Sequence, residues 1–147
     1  NGRLRELTEL KRLLGLLEGM IRFGGGTLEE AFEVAADRGS PPYSGFFSEL
    51  AAQMKECGGK TLGQLWQKAM ETKLGASGLS EDEKAVLRTL GRDLGFLDRE
   101  AQLKALALSE EQLEEARERL LEELPAKTKL YNYLGILAGV FITILLI

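Results

Sequence analysis

The chain has 147 residues, a formal net charge of −4, no histidine and a single cysteine, Cys57. That length outside the apolar tail makes one domain with a modest core. The charge excludes nucleic-acid binding driven by phosphate neutralisation, and the missing His and second Cys exclude a zinc site, an internal disulfide and a Ser-His or Cys-His catalytic pair. There are three prolines, no strand-like alternation persists, and a period near 3.6 dominates. Helix 1 is expected over about Leu4–Phe23, with Leu7, Leu10, Leu14, Leu17 and Ile21 on one stripe and Gly24-Gly25-Gly26 ending it. Thr27 and Glu30 are expected to form a capping box that opens helix 2, which runs to about Arg38 before the turn Gly39-Ser40-Pro41-Pro42. Helix 3 covers about Tyr43–Cys57 and ends at Gly58-Gly59. A second box, Thr61 with Gln64, opens helix 4, which ends near Lys73; a third, Ser80 with Glu83, opens helix 5, which Gly95 stops after Leu94. Asp98 caps a long helix 6 that reaches Leu124, where Pro125 ends or kinks it.

The fold class that follows is all-α: a helical bundle of about six helices. A shift of 34 residues superposes Met20 on Met54, Gly24-Gly25 on Gly58-Gly59, Thr27-Leu28 on Thr61-Leu62, Phe32 on Trp66 and Ala35 on Ala69. Two helical hairpins of similar geometry are therefore expected to pack together. The period is that of tetratricopeptide repeats, but two copies are too few for a solenoid and the signature residues are displaced.

From Leu130 to Ile147 the chain carries no charge. As a helix this stretch is about 27 Å long, close to the hydrocarbon thickness of a bilayer. Ten large aliphatic or Phe residues from Leu134 onward, at about −0.5 kcal/mol each, favour insertion by about 5 kcal/mol. Tyr131 and Tyr133 stand where an interfacial belt belongs, and Lys127 and Lys129 put the bundle on the cytoplasmic side. Residues 1–126 are thus expected to form a helical-bundle domain, and residues 127–147 a C-terminal transmembrane anchor in the lipid bilayer. Gly135 and Gly139, four apart, give the anchor a flat face for packing against another membrane helix.

Gly59-Lys60-Thr61 resembles the end of a phosphate loop, but Met54 replaces the required glycine and a helix precedes it instead of a strand. Leu87–Asp93 resembles a helix of apoptosis regulators, with Arg92 intruding between Gly91 and Asp93. The glutamates Glu110, Glu111, Glu114, Glu115, Glu118, Glu122 and Glu123 read as a solvated face with surface pairs Glu114–Arg117 and Glu115–Arg119. The remaining use of that face is to meet a basic partner. No metal, cofactor or catalytic set emerges, so an enzyme is not expected.

The densest local feature is Leu90–Gln102. Gly91 and Gly95 permit close helix approach or a sharp break, and Asp98, Arg99 and Gln102 gather on the first turns of helix 6. Leu90-Gly91, Leu94-Gly95 and Asp98-Arg99-Glu100 with Gln102 resemble the stage III sporulation protein AB family of endospore-forming bacteria. Gly26–Ala31, Leu62–Ala69 and Tyr133–Gly139 are similar to it as well. The resemblance covers nearly the whole chain. It implies a helical domain like the cytoplasmic domains of type II secretion F proteins, and a role in the mother cell–forespore channel. It implies a cytoplasmic motor ATPase of the same operon and other channel membrane proteins as partners. It also implies a place on the mother-cell side of the outer forespore membrane, and a further membrane helix before Asn1. On that reading Asp98, Arg99 and Gln102 serve docking. The alternative reading is a tail-anchored adaptor that holds a partner's amphipathic helix in a groove.

Overall fold

The computed structural model describes residues 2–56, 58–95, 98–123 and 144–145. Apart from 144–145, the expected anchor lies outside these residues, as do its boundary, Gly135 and Gly139, and also Cys57 and Phe96-Leu97. Among the described residues there are no strands, and no helix is long and apolar enough to cross a membrane.

Six helices follow one another: α1 Gly2–Phe23, α2 Leu28–Arg38, α3 Tyr43–Glu56, α4 Leu62–Lys73, α5 Glu81–Leu94 and α6 Arg99–Glu123. The starts of α2, α4, α5 and α6 are set by side chains that satisfy otherwise orphaned N–H groups. Thr61 and Gln64 form a full capping box on α4, as do Ser80 and Glu83 on α5. On α2 the Thr27 hydroxyl accepts from the Glu30 N–H at 3.1 Å. Each helix packs on its sequence neighbours, and α6 closes the circuit against α1. The two repeated hairpins meet through α2 and α3, where the rings of Phe32 and Phe47 lie 5.7 Å apart, and Phe32 also reaches its repeat equivalent, Trp66 of α4, at 6.0 Å between ring centres.

The closed circuit explains the burial on α1. It faces α2 on one side and α6 on the other, so Leu7, Leu10, Leu13, Leu14 and Leu17 are all fully buried, a wider band than the single stripe. Ile21 is only partly buried. The centre of the bundle holds Trp66 among Phe32, Phe46 and Phe47, with Phe46 edge-on to the indole at 5.0 Å. Rings at such angles align positive edges with negative faces and add to burial. Gly91 makes room for this cluster: a Cβ there would lie 2.2 Å from Trp66 Cγ.

Neighbouring helices run antiparallel, which gives the bundle two poles. Along the α1–α6 seam, Arg99 reaches the end of α1, Lys11 pairs with Glu114 at 2.6 Å, and Arg117 donates to Thr8 at 3.2 Å. One pole therefore holds the turns 24–27 and 58–61 and the α5–α6 corner. In the turn 58–61, Gly59 adopts φ +77°, a left-handed conformation that suits glycine. The other pole holds Gly2, Glu123 and the turns 39–42 and 74–80. It is tied by Glu9 accepting from the Ser40 N–H at 3.0 Å, Glu6 from the Gly78 N–H at 2.7 Å, and Arg3 paired with Glu83.

Candidate functional site: the corner between α5 and α6

Asp98, Arg99 and Gln102 come together at the turn pole, where three helix ends meet. An α-helix leaves its first N–H and last C=O groups without internal partners. Asp98 Oδ1 accepts from the Glu100 N–H at 3.1 Å, which caps α6. Gln102 Nε2 donates to the Leu94 carbonyl at 3.1 Å and so closes the end of α5. Arg99 donates to the Arg22 carbonyl and closes the end of α1. Asp98, Arg99 and Glu100 remain exposed, and Gln102 is half-buried. The corner is thus a staple whose outer surface still presents charge.

Phe23 sits beside it. It is 85% exposed and directly follows Arg22, the residue whose carbonyl Arg99 holds. Sequence reasoning passed it over as the last residue of a helix. The available signal was its position off the buried leucine band and immediately before three glycines. An exposed aromatic next to a rigid polar staple is the kind of anchor that interfaces use.

The carboxylates of α6 divide. Glu114 pairs with Lys11 and, at 3.3 Å, with Arg117, as its spacing predicts. These hydrogen bonds, Lys11 foremost, hold its carboxyl below the ordinary range. Glu115 makes no ion pair with Arg119; an exposed pair gains too little to offset the ordering of two long side chains. Glu110 departs most from a solvated face. It turns toward α1 over Gly15, where a Cβ would stand 3.1 Å from Glu110 Oε1, and shares a hydrogen bond with Glu18. Burial, and then the Glu18 carboxylate, push the Glu110 carboxyl up to about 8. Two carboxyls this close share one proton near neutrality.

Glu83 at the other pole behaves oppositely. Burial would raise it, but the Arg3 guanidinium and the Ser80 N–H and hydroxyl outweigh that and hold it below the ordinary range. No group of His, Cys, Asp or Glu arranged to hold a metal ion occurs among the described residues. A groove of about 660 Å³ lies between α4 and α5, and the polar ends of Gln64, Gln67, Lys68, Glu71, Arg88 and Arg92 stand along it.

Comparison with known proteins agrees with this architecture. Stage III sporulation protein AB of Bacillus subtilis (strain 168) is 31% identical over 145 residues, covering 98% of this chain and 84% of the relative. A solved structure of a stage III sporulation protein AB, 26% identical, superposes with a TM-score of 0.75 over 83% of this chain and 95% of that one. The family model described as stage III sporulation protein AB matches residues 1–147. The chain belongs to the stage III sporulation protein AB family.

Proposed function

We propose that the chain is a non-enzymatic, membrane-anchored platform subunit of the mother cell–forespore channel in endospore formation. In this reading the tail 127–147 crosses the membrane, with Gly135 and Gly139 packing on a neighbouring membrane helix. The bundle stands in the cytoplasm and docks a motor ATPase through the corner that carries Asp98, Arg99 and Gln102. The family membership supports the sporulation role. The observation that carries the platform reading is polarity. Gly2 and Glu123 share one pole, where an anchor following Glu123 would attach, and the corner with exposed Phe23 occupies the opposite pole. A partner in the cytoplasm would meet that far pole first.

The test is capture of the operon's ATPase by the full chain in membrane vesicles. Asp98→Lys/Arg99→Glu is expected to reduce capture at least about tenfold, the loss of roughly 1.4 kcal/mol of binding. Because both residues also bond the corner, Phe23→Ser serves as a second variant, since its side chain supports no helix end. Undiminished capture by both variants would remove this pole from the interface.

A further inference from the structure

The groove between α4 and α5 is a concentration of donors on an acidic chain. Arg88 and Arg92 stand one turn apart on α5, facing Lys68 and the amides of Gln64 and Gln67 on α4. Lys68 and Arg92 make no ion pair among the described residues, and Arg88 reaches only Glu81, at 3.6 Å, a glutamate 81% exposed. The single carboxylate on the wall, Glu71, already accepts from Gln67 Nε2 at 3.3 Å. The surface that complements this groove lies on the same chain. Glu111, Glu115, Glu118 and Glu122 are exposed on α6 and unpaired among the described residues. Their spacing puts them on one stripe about 16 Å long.

We propose that the α4–α5 groove of one copy receives the α6 carboxylate stripe of a second copy. A rigid bundle cannot bring its own α6 face round to its own groove, so the pairing is between molecules. Groove and stripe are different surfaces, which makes the contact heterologous: every copy offers one of each, and the contact propagates until a ring closes or a filament grows. The groove lies in the half of the bundle nearer the turn pole, and the stripe in the half nearer the chain ends. Each copy therefore leans against the next. Exposed ion pairs are individually weak and screened by salt, so the association is salt-sensitive.

Sedimentation velocity of the full chain in detergent micelles tests this. The wild type is expected to form oligomers at low salt that dissociate as ionic strength rises toward 0.5 M. Arg88→Glu/Arg92→Glu makes both surfaces acidic, and Glu115→Arg/Glu118→Arg makes both basic. Each variant alone is expected to weaken association at least about tenfold, with unchanged helical circular dichroism. An equal mixture is expected to regain oligomers, because the acidic groove of one accepts the basic stripe of the other. A wild type that stays monomeric at low salt overturns the proposal. So do variants that still associate, which would assign self-association to the tail, and so does a mixture that fails to recover, which would assign the groove to a different acidic partner. None of these outcomes bears on capture of the ATPase at the corner.

Discussion

At the residue scale, Gly91 and Glu110 do work that no side-chain class announces. The sequence offers Gly91 as a point of close helix approach, and the structure supplies what approaches: the face of Trp66, too near for even one added carbon. Gly91→Ala forces the indole or the α5 backbone to shift. It is expected to cost about 1–3 kcal/mol, read as a lower urea midpoint with an unchanged slope. Glu110 was grouped with its solvated neighbours because periodicity gives a face and not what covers it; α1 and Gly15 cover this one. Its carboxyl is raised in the folded state to about 8 from an ordinary 4.5. Its contribution to stability is thus fully present below the unfolded value and is lost as pH rises through the folded one. Glu110→Gln keeps a neutral donor there. The difference in melting temperature between variant and wild type is expected to be small at pH 5 and to grow in the variant's favour by pH 9. A difference that does not change across that range would show that the two carboxyls do not share a proton.

At the element scale, helix starts were the most legible part of the sequence. Thr61, Ser80 and Asp98 each cap the helix they were expected to cap, because a capping side chain needs partners two or three residues away and no tertiary information. The box expected of Thr27 and Glu30 forms only in half: the Thr27 hydroxyl accepts from the Glu30 N–H, but the Glu30 carboxylate lies beside Gly26 and does not return the bond. Ser80 serves more than its helix, since the carboxylate it orients also receives Arg3 from α1. Ser80→Ala is therefore expected to cost about 1–2 kcal/mol and Thr27→Ala about 0.5–1 kcal/mol, measured by chemical denaturation. Equal losses would mean that the Arg3–Glu83 tie does not depend on the cap. The width of the buried band on α1 was not legible. Leu13 is covered by the end of α2, where a Cβ on Gly39 would stand 3.1 Å from Leu13 Cδ1, and that return of the chain onto α1 is tertiary information that periodicity does not carry.

At the scale of the whole molecule, composition and repeat led to a helical bundle made of paired hairpins, and the resemblance led to the family. Neither indicated that the circuit closes, or that Asp98, Arg99 and Gln102 knit three helix ends together while leaving charge outside. The grouping of Asp98, Arg99 and Gln102 is legible in sequence because these residues lie within five positions of one another. Phe23 stands beside that corner through folding alone, which spacing along the chain does not show. Closure of α6 on α1 also has a mechanical side. The first and last described helices lie side by side with their outer ends at the same pole, tied along their length by Lys11–Glu114 and Thr8–Arg117. A pull that separates those ends loads the ties one after another, like the teeth of a zipper, whereas a push on the corner from the far pole loads all of them at once. The same bundle is thus stiff to thrust along its axis and compliant to spreading at its base.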